Sequence, residues 1–176
     1  MIGNDNDLRD LYQDLILDHS KHPHNFRAVP EANRDALGHN PLCGDRLSLQ
    51  LKVDADDVIQ DVGFQGSGCA ISVASASMMT DMLRGRTLEE ANALFAYMHA
   101  LCTGRDYSVP AEMAGTTVTA PCTGENPPHV TLADDDRDRL QALAGVRHYP
   151  MRVKCATLAW HTMQAALDNK TKVSTE

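Results

Sequence analysis

The chain holds 176 residues, a length suited to one domain, with 16 Lys and Arg against 24 Asp and Glu for a formal charge of −8. Such an acidic surface disfavours phosphate backbones and anionic membranes, while 43% hydrophobic and 23% charged residues suit a packed globule rather than a disordered chain. No apolar run reaches the roughly 20 residues of a membrane span, and the first ten residues lack the basic and apolar regions of a signal peptide, so the expected location is the cytoplasm.

Residues 7–22 repeat apolar positions at Leu8, Leu11, Tyr12, Leu15 and Ile16 and read as a helix ended by Pro23. From His24 to Asn40 the chain is polar and irregular, with a short strand near Ala36. Leu47, Leu49, Leu51 and Val53 alternate with polar residues as a half-buried strand. A turn over residues 54–57 and a returning strand from Val58 to Phe64 complete a β-hairpin. After Gly66-Ser67-Gly68, the run from Ala70 to Leu83 reads as a helix of small residues, stopped at Gly85, whose backbone another element can approach closely. Thr87 and Glu90 form a capping box for the next helix, with an apolar stripe at Ala91, Leu94, Phe95, Met98, Leu101 and Cys102. Residues 104–134 are rich in Gly, Pro and Thr without a sustained period and read as a loop or insertion. A short helix near Arg137–Ala144 follows, then a last one from near Lys154 that carries Trp160, Met163 and Leu167. Helix, small antiparallel sheet and a run of helices, without βαβ alternation, make an α+β fold. The expectation is one domain over residues 1–176, with flexible ends near 1–6 and 169–176.

Five cysteines stand in the chain, Cys43, Cys69, Cys102, Cys122 and Cys155, and no two form a C-x-x-C pair. An odd count in a cytosolic setting argues against structural disulfides, and inert buried thiols are the plain alternative. Local context separates the five. Cys43 and Asp45 flank a glycine in Asn40-Pro41-Leu42-Cys43-Gly44-Asp45, so one turn brings a thiolate and a carboxylate to one ion. Cys69 begins the small-residue helix, where the helix dipole favours thiolate. Cys155 reads as opening the final helix, preceded by Arg152 and Lys154. Cys102 sits on an apolar face and reads as packing, and Cys122 as a spare surface thiol. Were Cys43, Asp45, Cys69 and Cys155 to meet, three sulfurs and one oxygen would suit Zn²⁺. Four anionic ligands outweigh a dication, so helix N-termini, Arg152 and Lys154 are the expected compensation.

The histidines compete as ligands. His19, His22 and His24 surround Pro23; a polar helix end is their plainer reading, with metal binding or partner docking as the others. His148 and His161 flank the last cysteine and are weaker than the sulfur set. Asp134-Asp135-Asp136 reads as a solvated loop ending in a helix N-cap.

On Leu11-Tyr12-Gln13 with Asp18-His19, Asn40 through Asp45, Gly66 through Ser72 with Ala74 through Met79, and Pro150 through Trp160, the chain resembles the U-type iron–sulfur cluster assembly proteins, in their SufU branch. The resemblance implies a small antiparallel three-stranded sheet packed by helices and a zinc ion held by Cys43, Asp45, Cys69 and Cys155. It implies that Cys43 accepts sulfane sulfur from a SufS-type, pyridoxal-phosphate-dependent cysteine desulfurase, that Arg152 serves work with that desulfurase, and that a SufB-type scaffold receives the sulfur. IscU-type scaffolds carry His before the last cysteine, where this chain has Lys154, which favours a zinc sulfurtransferase. Ser20, where an aromatic is common, and the long stretch 104–134 depart from the pattern. Two other readings remain: a scaffold for a [2Fe–2S] cluster on the same residues, and a non-catalytic structural zinc protein.

Overall fold

Leu47, Leu49, Leu51 and Val53 point to one side of a strand because side chains alternate along it, and all four are buried. They belong to β2 (Asp45–Val53), the centre of a sheet whose other members are β1 (Arg34–Asn40), β3 (Ile59–Ser67) and a short strand at Lys172–Ser174. The computed structural model describes residues 5–103, 116–119 and 129–174. In chain order, α1 (Asp5–Lys21) precedes β1, and α2 (Ala70–Leu83) and α3 (Leu88–Thr103) follow β3. Next come β4 (Thr116–Thr119), β5 (His129–Leu132), α4 (Asp134–Ala144), a 3₁₀ turn at Gly145–His148, α5 (Pro150–Leu167) and β6, the Lys172–Ser174 strand. None of the described helices is long and apolar enough to cross a membrane.

The fold is α+β, with the main sheet ordered β3-β2-β1-β6. β1 and β3 pair antiparallel with β2, and β6 joins β1 in parallel, with Leu37 opposite Lys172. The sheet therefore has four strands rather than the expected three. β6 falls inside the stretch 169–176 expected as a flexible end; the backbone of β1 left a free edge that three residues can pair. Within 104–134, β4 and β5 form a separate antiparallel pair, with Thr116 opposite Leu132. Cys122 lies outside the described residues.

Helices cover one sheet face. The small residues of α2 do what small residues permit: the Ser75 hydroxyl donates to the Ala156 carbonyl of α5 at 2.6 Å and accepts from Trp160 Nε1 at 3.0 Å, all buried. The capping box forms as expected, with Thr87 N–H donating to Glu90 Oε2 at 2.9 Å and Glu90 N–H to Thr87 Oγ1 at 3.2 Å. Helix starts differ from the sequence reading at two places. α4 begins at Asp134 behind Ala133, so the three aspartates occupy its first turn, where the helix dipole favours them. α5 begins at Pro150 rather than near Lys154, because Pro suits the first helical position; its exposed first turn has no apolar period to read. On α1, Leu15 and Ile16 pack against the core, while Leu11 is 62% exposed.

α5 lies close on β1 at Gly38, where a Cβ would collide with Thr162 Oγ1 and stand 3.2 Å from Leu158 Cδ1. Gly38→Ala is expected to cost about 1–3 kcal/mol by forcing these elements apart, read as a lower urea midpoint with unchanged slope. An unchanged midpoint would mean that α5 yields without strain.

His161, half-buried on α5, is held below its ordinary value of 6.5 by burial and then by His99. Unfolding restores the ordinary value, so below about pH 6.5 the unfolded chain binds more protons and stability falls as pH drops. His161→Leu should make that fall shallower in urea denaturation between about pH 7.5 and about pH 5.5; an identical slope would remove His161 as a contributor.

Candidate metal centre

The turn between β1 and β2 is built by its own polar groups. Asn40 Oδ1 accepts the Leu42 N–H at 3.2 Å, and the Asn40 carbonyl accepts the Gly44 N–H at 2.9 Å. Gly44 adopts φ 71°, a left-handed conformation that glycine enters without steric cost. This turn presents Cys43 at an exposed tip and returns the chain so that Asp45, the first residue of β2, points inward and is 1% exposed. Asn40 and Asp45 face each other as the last pair of the ladder.

Two other elements arrive at the same end. Cys69 caps the N-terminus of α2, and its sulfur accepts the Ser72 N–H at 3.5 Å. Asp45 Oδ1 accepts the Cys69 backbone N–H at 2.9 Å, and the Cys69 thiol donates to Asp45 Oδ2 at 3.9 Å. A Cβ on Gly68 would stand 2.8 Å from Asp45 Oδ1, so the carboxylate fits because residue 68 has no side chain. From α5, the buried Cys155 thiol donates to Cys43 Sγ at 3.1 Å. Cys43, Asp45 and Cys155 offer ligand atoms within 4.8 Å of one another, and Cys69 joins them through Asp45.

The electrostatics are those of crowded acids. Burial pushes the Cys155 thiol well above its ordinary value, and bonds to Cys43 and Asp45 and the nearness of Cys69 push it further. A thiol surrounded by potential anions stays protonated unless positive charge enters among them. The donor chemistry, three soft sulfurs and one carboxylate converging from separate elements, fits zinc.

Several residues stand otherwise than the sequence suggested. Cys155 lies in the second turn of α5, because the helix starts at Pro150, so the dipole argument made for Cys69 does not extend to it. The Arg152 guanidinium is exposed and sits 4.6 Å over the Tyr149 ring rather than on the sulfurs. Cys102, by contrast, stands as read from the sequence: it is fully buried on α3, and burial pushes its thiol up to about 12. His22 pairs with exposed Asp18, at 3.4 Å. His19 is buried, and burial followed by His24 holds its imidazole below the ordinary value. The sequence reading gave Asn40 no role, yet it is fully buried and its amide donates to Cys155 Sγ at 3.7 Å. Its position before Pro41 and a tight turn was the available signal.

The NifU-like N-terminal domain family matches residues 11–121. The chain is 37% identical over 160 residues to a Streptococcus pyogenes protein named iron–sulfur cluster assembly scaffold protein IscU, covering 91% of this chain and 84% of that one. It is 34% identical over 154 residues to the Bacillus subtilis zinc-dependent sulfurtransferase SufU, covering 88% and 87%. Among solved structures, a putative assembly scaffold of the SUF system from Fervidobacterium islandicum superposes with a TM-score of 0.69 at 28% identity, over 90% of this chain and 98% of that one.

Thiol alkylation of the folded, metal-free protein should separate the cysteines by exposure. Cys43 and Cys69 are expected to label quickly and Cys102 far more slowly, given its burial and its raised thiol. Peptide mapping against time checks this; Cys102 labelling as fast as Cys43 would contradict its buried place.

Proposed function

The chain belongs to the NifU-like N-terminal domain family of iron–sulfur cluster assembly proteins, and within it we propose that the protein is a zinc-dependent sulfur relay. The observation that carries this reading is the unequal exposure of the clustered groups. Cys43 stands at an exposed turn tip, while Asp45 and Cys155 beneath it are buried and the other exposed sulfur, Cys69, is engaged as the cap of α2 by the Ser72 N–H. An acceptor must reach a partner's sulfur, whereas the groups that hold it in place need not. Lys154 supports the choice, since an ammonium beside Cys155 offers charge compensation and no cluster ligand.

Cys43, Asp45, Cys69 and Cys155 are the residues that would hold Zn²⁺. When bound, the ion supplies the positive charge that lets the thiols ionise together. The donor is a cysteine desulfurase of the SufS type carrying a persulfide. The Cys43 thiolate attacks the outer sulfur of that persulfide; the new S–S bond forms on Cys43 as the bond to the desulfurase cysteine breaks, and that cysteine leaves as thiolate. No net oxidation occurs. Arg152, with exposed Tyr149 and Met151 beside it and exposed Leu42 next to Cys43, belongs to the docking of the desulfurase rather than to the sulfur transfer. The Cys43 persulfide then passes to a SufB-type scaffold. Such a relay would work in the cytoplasm, where thiols stay reduced.

The Streptococcus relative named as a scaffold, similar over most of the chain, favours a second reading: assembly of a [2Fe–2S] cluster on the same residues. A visible spectrum that depends on iron after anaerobic reconstitution would support it.

Zinc-loaded protein incubated with the desulfurase and cysteine, without iron, should gain about 32 Da on Cys43, one sulfur atom, by peptide mass spectrometry. Cys43→Ser should abolish the gain and Cys102→Ser should retain it. Loss in both would indicate general misfolding, and no gain with an active desulfurase would overturn the relay. Asp45→Ala should weaken zinc retention in a chelator competition; unchanged retention would remove Asp45 from the ligand set.

A further inference from the structure

A second group of ligand-bearing side chains lies far from the sulfurs. His19, in the last turn of α1, His24, just past Pro23, and Asp81 of α2 place one ligand atom each within 4.8 Å of one another. Asp81 stands twelve residues after Cys69 on the same chain segment, about 18 Å along the helix at 1.5 Å per residue. We propose that His19, His24 and Asp81 form a second metal site, for a borderline divalent cation such as Zn²⁺, that fastens the end of α1 and the turn after it to α2.

The surrounding groups are arranged as supports for ligands. His19 is 3% exposed, and its Nδ1 lies 2.7 Å from Ser77 Oγ. The same oxygen accepts the His24 backbone N–H at 2.8 Å. A hydroxyl has two lone pairs, so Ser77 has room to accept from both partners, and in the tautomer with the His19 proton on Nδ1 the Nε2 lone pair is left for a metal. A hydrogen bond at one ring nitrogen that fixes the tautomer and orients the other nitrogen is the usual companion of a metal-bound histidine. The rings of His19 and His24 lie 4.6 Å apart between centroids, tilted by 49°. Asp81 Oδ2 is 2.6 Å from His24 Nδ1, and its Oδ1 accepts from Asn25 Nδ2 at 3.2 Å, which steadies the carboxylate.

Two imidazoles and one carboxylate make a three-ligand set with the fourth position left to solvent. The His24 side chain is 49% exposed, so the site has an entrance. Tetrahedral ligands about 2.0–2.1 Å from zinc stand about 3.3 Å apart. The separations here, from 2.6 Å to at most 4.8 Å, bracket that spacing, so loading asks for side-chain adjustment and not for a new backbone. In the metal-free state the 2.6 Å contact between His24 Nδ1 and Asp81 Oδ2 spans the place of the ion. One charge opposes binding: Arg139 Nη1 lies 3.9 Å from Asp81 Oδ2, and equally far from Asp136 Oδ1.

Cadmium NMR on the full chain separates the two sites, because sulfur-rich and nitrogen–oxygen coordination shift the resonance to opposite ends of the range. The expected result is two resonances, one of each kind, and a second equivalent of Zn²⁺ taken up in calorimetry after the first is bound. His24→Asn and Asp81→Asn should lose the nitrogen–oxygen resonance and keep the sulfur-rich one, which also shows that the variants fold. Arg139→Gln, relieved of the opposing charge, should bind the second ion several-fold tighter. A single sulfur-rich resonance in the wild type at millimolar cadmium would overturn the proposal, as would a second resonance that survives both substitutions.

Discussion

Repulsion between like charges is the constraint to which the sulfur-lined end of the molecule answers. Two unit charges of one sign at about 4 Å repel by roughly 4 kcal/mol at an effective dielectric near 20, and this end gathers three cysteines and an aspartate. The protein relieves the crowding with donors before any cation is considered. Backbone N–H groups of Cys69 and Ser72 point at the Asp45 carboxylate and the Cys69 sulfur, and the Asn40 amide points at Cys155. Cys155 keeps its proton under burial and the pressure of its neighbours. The arrangement is therefore costly to ionise and ready to release protons when positive charge arrives, as thiol ligands of a metal must.

That end exists because α2 can be approached closely along its length. Its N-terminus caps on Cys69, its middle meets α5 through Ser75, Ala156 and Trp160, and its later turns meet α1 and the following loop through Ser77 and Asp81. Hydroxyl-bearing residues inside a helix ordinarily compete with the backbone; here Ser75 and Ser77 reach other elements. Ser75 ties α2 to the helix bearing Cys155, and so helps to hold Cys155 and Cys69 at one end of the sheet. Ser77 does the same for His19 and His24 on another side. Larger residues at 74–77 would separate these elements and pull both clusters apart.

Much of the fold was legible where the physics is local. The alternation of β2, the turn after it, the capping box at Thr87 and Glu90, and the small-residue character of α2 all appear at their expected places. The turn from Asn40 to Asp45 was legible as a device for bringing Cys43 beside Asp45. Elements without a local signal were missed. The first turn of α5 is exposed and shows no apolar period, and β6 is three residues recruited by a free sheet edge. Nor does periodicity mark Asp81 as the partner of His24, since 57 positions separate them.

The sequence by itself marked the candidate residues for chemistry and most of the segments that become strand, turn or helix, because propensity, alternation and capping act over a few neighbouring residues. The tertiary structure alone decided which of them meet. Asn40 and Cys155 stand 115 positions apart, Cys43 and Cys155 112, and His19 and Ser77 58. Closing such separations costs chain entropy that no local pattern repays. Packing repays it: the buried face of the sheet draws α2 and α5 onto it. Gly38 and Ser75 set how closely they come, and that closeness brings the sulfurs, the carboxylate and the buried histidine to their partners.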